Sequence, residues 1–298
     1  MDLQRGQLKR AAREAMRVSR PSAWRLTMLY LLVTTGLATV MDFATGDLWL
    51  RLAGFLQQGL SIDRALALAV AKTGRLALFL NILMVFYQTV MEFGYRRWTL
   101  NAARGCAAPA DLLGGFGMAW RVILLRIVTA VYAMLWYMAA FLPALFLAAV
   151  LGGGAGGMAA IAVAAAVCLL CLLRYWFAPY CLMDDEKPGV FRAMRGSLRL
   201  TRGNTWGLIV LLASFVGWYA LCGLIYAGAG AVALLLTGGW TAVTAAAAGG
   251  ETPVWIDTIA SVCVWPLAAW VLPYVEITVC GFYDRICRKE KQETAQAV

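Results

Sequence analysis

Four ionisable side chains in otherwise apolar surroundings, Glu92, Arg126, Arg174 and Glu276, are the residues of this chain best placed to do chemistry. A charge isolated near the centre of a bilayer costs at least ~2.5 kcal/mol, so such groups pair, snorkel to the interface, or line a route for a proton or ion. The expectation is a single polar cluster in the inner half of the membrane, where Glu276 and Glu92 neutralise Arg126 and Arg174, with Asn81, Gln88, Tyr180 and Tyr274 close by. Its uses would run from tying helices together to holding a proton, an ion or a lipid headgroup. A second set is Arg192, Arg195, Arg199 and Arg202, which recur at helical spacing and so share one stripe, with Phe191, Met194, Leu198 and Thr201 on the neighbouring stripe. A helix of that kind rests its apolar face on the bilayer while the arginines reach phosphates, each contributing ~1 kcal/mol near an anionic surface. Docking to a cytoplasmic partner and contact with a substrate are the alternatives. Acidic Asp184, Asp185 and Glu186 followed by Pro188 suit the start of this helix.

Several chemistries are excluded by what the chain contains. It has no histidine, which removes Ser-His-Asp and Cys-His catalysis and the histidine-based zinc hydrolases. The eight cysteines sit mostly in apolar runs, and Cys168 and Cys171 have no second pair at zinc spacing, so they read as small packing residues. Gly152, Gly153, Gly154, Gly156 and Gly157 follow an apolar run with no strand and no basic residue beside them, which reads as a tight turn rather than a phosphate cradle. No catalytic residue, metal site or cofactor is expected, and the protein is read as a non-enzyme.

Those residues must be carried by membrane-spanning elements. At 62% hydrophobic and 14% charged, the 298-residue chain is too apolar for a soluble fold. Uninterrupted apolar runs near 20 residues match a hydrocarbon core of roughly 30 Å, and in lipid each backbone polar group must find its partner within the segment, so the runs are helices. Spans are expected at 26–41, 76–93, 122–151, 158–183, 206–236 and 256–283, after a basic amphipathic segment, 1–25, and before a tail, 284–298, all in one integral membrane domain. The fold class is an all-α polytopic transmembrane bundle of about six spans with cytoplasmic amphipathic helices.

Basic residues orient it. With the termini inside, 22 of the 26 Lys and Arg fall on the cytoplasmic side and only Arg51, Arg64, Lys72 and Arg75 fall outside. The net charge of +10 is therefore a topology signal rather than a nucleic-acid footprint, and it directs the inner surface toward anionic headgroups. The basic, then apolar, N-terminal region lacks a small-residue cleavage pattern after Val40 and is read as a first span, not a signal peptide. Leu8, Ala12, Ala15 and Met16 beside Lys9, Arg10, Arg13 and Arg17 give it an amphipathic face.

An internal repeat is faintly visible. Trp24, Trp120 and Trp206 each mark a point where a basic segment becomes an outward-going helix, and Ala178-Pro179-Tyr180 echoes Leu272-Pro273-Tyr274 on return helices, which suggests three hairpins. Interfacial enrichment of tryptophan is the competing explanation. Pro143, Pro179, Pro266 and Pro273 are expected to bend their helices, and the small residues from Ala159 to Ala166 offer a smooth face for close helix approach, internally or in a homo-oligomer. Asp257 reads as a solvated group or a helix N-terminal partner.

Gly94-Tyr95-Arg96-Arg97-Trp98, Asn101 to Gly105, Ser197 to Trp206, Ser214 to Trp218, Pro273-Tyr274 and Phe282 to Arg285 together resemble a bacterial multi-pass membrane family, domain of unknown function nine hundred and seventy-five. The pattern is also distantly similar to the membrane domain attached to some glycerophosphodiester phosphodiesterases. The resemblance implies a polytopic protein of the bacterial cytoplasmic membrane and brings no catalytic residues. Two functions are consistent with these features: a non-enzymatic module, scaffold or transport accessory, that contacts anionic lipid or an unidentified membrane partner, and a transporter or channel built on the Glu/Arg cluster.

Overall fold

The structure, a computed structural model, describes residues 5–45, 55–56, 59–150, 154–185, 189–247 and 254–296. It is an all-α polytopic fold. Its helices are α1 (Arg5–Val18), α2 (Ala23–Leu31), α3 (Leu37–Thr45), α4 (Ile62–Thr73), α5 (Arg75–Ala103), α6 (Ala119–Val150), α7 (Ala155–Leu173), α8 (Ala178–Asp184), α9 (Val190–Thr201), α10 (Thr205–Ala213), α11 (Val216–Ala247) and α12 (Val254–Gln296). Among the described residues, six helical segments are long and apolar enough to cross a membrane: Ala23–Met41, Arg75–Ala103, Pro109–Val150, Ala155–Asp184, Val216–Gly239 and Trp255–Glu290. Along them, bulky apolar side chains such as Leu32, Phe79, Leu135, Phe146, Val163 and Leu224 are exposed. A contiguous surface of that kind calls for lipid rather than water.

The expected spans needed correction where local geometry intervenes. The fourth is not one helix: α7 ends at Leu173, residues Arg174 to Phe177 form a turn, and Pro179 sits in the first turn of α8, where its missing N–H costs nothing. The fifth begins ten residues later than expected. Helix α10 stops at Ala213, where the Ser214 hydroxyl donates to the Leu211 carbonyl, and the spanning helix α11 starts at Val216. Pro143, Pro266 and Pro273 lie inside helices that continue through them. Gly156 and Gly157 belong to α7 rather than to the turn, and Gly152 and Gly153 lie outside the described residues. The amphipathic stretch after the fourth span starts as a helix at Val190, with Gly189 as its N-cap, and Glu186 and Pro188 are likewise outside the described residues. Helix α4, between the first two spans, was not foreseen.

The chain forms two units: Met1–Val18, Glu92–Ser214 and Glu276–Val298 in the first, Ser19–Met91 and Phe215–Val275 in the second. In the second unit, the helix from α2 to α3 is widened into a π segment, Leu32–Gly36. That widening shifts carbonyls off their usual donors, and the Tyr87 hydroxyl donates to the Val33 carbonyl at 3.3 Å. The Trp24 indole N–H donates to the Pro266 carbonyl at 3.3 Å, and Trp218, Trp270 and Tyr274 stack in sequence.

The first unit is a hairpin with a packed foot. Helices α6 and α7 run side by side so closely that a Cβ at Gly157 would stand 3.2 Å from that of Ala148. At the foot, α8 and α9 close over α6 around Phe93, Val122, Leu125, Tyr175, Leu182, Val190 and Met194. Helix α1 docks here as well. Leu8 and Ala12 are buried, Leu8 lies over Gly281, and the Lys9 ammonium donates to the Ser214 carbonyl at 3.3 Å. Burying Leu8 alone contributes about 2 kcal/mol. The Lys9 pKa is lowered by burial and then by Arg13 and Arg5.

A tight approach explains one glycine of the family-like pattern. The 3-10 turn Pro109–Leu113 lies on α5, where the Leu112 carbonyl occupies the space a side chain at Gly94 would need, and Asp111 bonds the Ala108 N–H while facing Arg97. Because the obstruction is backbone, it cannot rotate away. Gly94→Ala is expected to lower stability by at least ~2 kcal/mol, read as an unfolding midpoint in detergent, whereas Gly117→Ala, with open space around it, leaves the midpoint unchanged.

Candidate functional site

The four intramembrane charges do not assemble into one cluster. Glu92 pairs with Arg96 one turn along α5 at 2.7 Å. Glu276 accepts a hydrogen bond from the fully buried Tyr180 at 2.8 Å. Arg126 and Arg174 are exposed and form no ion pair among the described residues. The physical reason is the break after α7. Arg174 caps that helix, so its side chain leaves the foot while its carbonyl turns inward to accept from the Ser197 hydroxyl at 2.7 Å. Of the polar residues expected nearby, Tyr180 bonds Glu276, Asn81 donates to the Ala77 carbonyl of its own helix, and Tyr274 packs on Trp270 and Phe215. Asp257, in the first turn of α12, accepts from the Tyr226 hydroxyl.

The arginine stripe of α9 is exposed as expected, yet the opposite face is covered by protein and not left to the bilayer. Val190, Ala193, Met194, Ser197, Leu200 and Thr201 are buried, while Phe191, assigned to the apolar face, is exposed and Leu198 is half-buried. The Ser197 and Thr201 hydroxyls both turn to the Arg174 carbonyl. The buried face thus follows the residues that fit the groove between α6 and α8 rather than the residues of highest apolarity. On the outer face, Arg192 faces Asp185 at 3.3 Å, Arg199 pairs with Glu290, and the Arg195 Nε donates to the Phe191 carbonyl.

A stronger ionic arrangement went unforeseen. Arg104 follows α5, in a helix end closed by Gly105 N–H to the Ala102 carbonyl and Cys106 N–H to the Asn101 carbonyl. Its guanidinium grips Asp184 with two bonds of 2.8 and 2.7 Å and reaches Asp284 at 2.7 Å. The Tyr283 hydroxyl adds a bond to Asp184 at 3.1 Å. The Arg104 pKa is raised, first by its hydrogen bonds to Asp184 and then by those to Asp284, so the guanidinium stays charged at any accessible pH. Tyr283 also belongs to an aromatic group in which Phe177 stacks on Phe282 and meets Tyr180 and Tyr283 at a tilt. Arg104, Tyr283 and Asp284 all lie in the family-like segments, but no local signal pairs residues 80 and 180 positions apart.

Chemically the triplet is a staple. One fork-shaped donor serves two carboxylates from different helices, a geometry that arginine provides and lysine does not. Each partner is a third exposed or less, so solvent screening holds its worth to about 1–2 kcal/mol. Arg104→Ala should therefore lower the unfolding midpoint in detergent by that amount, and Arg104→Lys should recover less than half of the loss. Equal stability of both variants and the native chain would mean the triplet is incidental.

Residues 155–290 match the model of one protein family, a segment running from the start of α7 into the last third of α12. The arginine stripe, Asp184, Glu276, Tyr283 and Asp284 fall within it; Glu92, Arg104 and Arg126 precede it. No curated protein and no solved structure matches the chain. Over residues 155–290, then, a little under half of its length, this integral membrane protein is similar to the family described as Protein of unknown function (DUF975).

Proposed function

We propose that the protein is a non-enzymatic module of a bacterial cytoplasmic membrane, a scaffold or transport accessory whose termini face the cytoplasm and whose basic surface engages anionic lipid headgroups. One observation carries this reading: α9 is locked into the foot of the first unit by a buried face, so Arg192, Arg195, Arg199 and Arg202 are held outward on a fixed helix. A rigid presentation removes part of the ordering cost that a mobile basic segment bears on binding. The surroundings agree. Arg126 and Arg174 are exposed on the same hairpin, and Trp120 and Trp206 are about three-quarters exposed at the second position of α6 and α10, as suits headgroup-level anchors. Helix α7 is 19 residues without a charge, about 28 Å at ~1.5 Å per residue, and Arg174 follows it directly. That length supports a position for the arginine at a membrane boundary and not in the hydrocarbon.

The transporter alternative requires Glu92, Arg126, Arg174 and Glu276 to act as one site, and the exposure of Arg126 and Arg174, which form no ion pair among the described residues, gives it no support. The lipid reading is tested by replacing Arg192, Arg195, Arg199 and Arg202 with Gln and measuring the motionally restricted fraction of spin-labelled phosphatidylglycerol and phosphatidylcholine around the reconstituted protein. At ~1 kcal/mol per basic residue near an anionic surface, the native preference for the anionic lipid should fall at least ~3-fold, and raising salt should erase most of the difference between the two proteins. An unchanged preference would remove the proposal.

A further inference from the structure

We infer that α4 is an interfacial helix whose bulky apolar flanks, Ile62, Leu66 and Leu68, enter the acyl-chain boundary of the leaflet opposite the termini. The inference stands on the chain crossing the membrane and not on the headgroup reading above.

The burial pattern of α4 is unusual for a loop helix in water. Among the described side chains of the helix, Ala65 and Ala69, one turn apart, are the fully buried ones, so the helix is seated through two methyl groups. Around the helix, Ile62 and Leu66 lie on one side of that alanine pair and Leu68 on the other, and they are 73%, 47% and 42% exposed. The arc opposite the alanine pair carries the exposed Asp63 and Ala67 and the half-buried Val70, while Arg64 stands one turn before Leu68 with its long side chain exposed. An apolar arc with its centre docked and both shoulders bare is the arrangement of a helix lying in a lipid surface beside the span it rests on.

The chain sets the level of this helix. Gly74 alone separates α4 from α5, and it takes φ 78°, a conformation that a side chain resists. It turns the chain at once into the spanning helix, whose first bonds include Leu78 N–H to the Gly74 carbonyl at 3.0 Å. A helix hinged by one residue to the end of a membrane span cannot stand clear of the interface, so lipid is the occupant its exposed flanks meet. The Asp63 carboxyl is held below the usual carboxylate range, first by the Ser61 hydroxyl and then by backbone N–H groups, which suits a polar arc turned to water.

The test uses the full chain with the two exposed cysteines, Cys106 and Cys263, changed to Ser. An environment-sensitive fluorophore is placed on Leu66→Cys, with Ile62→Cys and Leu68→Cys as independent reads, Ala67→Cys, opposite the docked alanines, as the water-facing control, and the same protein without an added cysteine as the labelling blank. In phosphatidylcholine vesicles, lipid carrying a doxyl group near the headgroup should quench the label at 62, 66 and 68 about threefold more than at 67, while iodide should quench most strongly at 67. Iodide reaching 66 as readily as 67 would overturn the inference. Protection of 66 and 68 from both quenchers would do so too, because it would mean that protein covers the flanks.

Discussion

A peptide group inside hydrocarbon has no water to turn to, and every feature of this chain that crosses the membrane follows from that fact. The spanning segments are helical because only a helix closes its own hydrogen bonds. Where the backbone departs from regular geometry, a side chain repairs it: Tyr87 serves the Val33 carbonyl beside the π segment, and Lys9 serves the Ser214 carbonyl where α10 ends. Serine and threonine do the same for the turn after α7, through Ser197 and Thr201 on the Arg174 carbonyl. These repairs lie within three spans that the sequence presents as continuous, so irregularities and repairs come together.

The first unit adds a layer of organisation that a bundle of spans would not require. Helices α1, α8 and α9 each bury one face, which includes Leu8, Tyr180, Leu182, Val190 and Met194, and α9 leaves its arginines outside. The Arg104 staple ties together chain regions that are remote in sequence, and Tyr283 links it to an aromatic group. The stripe's direction is set by the buried face of α9, through Val190, Ala193, Met194 and Ser197. Charge is thus used in two ways here: Arg104 joins Asp184 and Asp284, while the arginines of α9 stay on its exposed face.

How much was legible depends on the range of the interaction. Apolar run length is a local property, so six spanning segments could be read directly, as could the stripe at Arg192, Arg195, Arg199 and Arg202. The entry tryptophans are local too, and each occupies the second position of its helix. Their repeat was only partly informative, because α10 stops after nine residues where α6 runs on for 32. The polar cluster was misjudged because hydropathy reports that a charge is costly, not which neighbour relieves the cost. Glu92 found Arg96 on its own helix and Glu276 found a tyrosine, while Arg126 and Arg174 turned outward.

Composition and periodicity by themselves determined that this is an all-α membrane protein, where its apolar segments lie, and on which stripe its arginines fall, since all of these depend on residues within a few turns of one another. Tertiary structure decided which face of α9 is buried, that Gly94 must lack a side chain, that Arg104 joins Asp184 and Asp284, and that α4 rests on two alanines with its bulky residues bare. Those outcomes are set by steric fit and ion pairing between segments far apart in the chain, and no local pattern of residues carries that information.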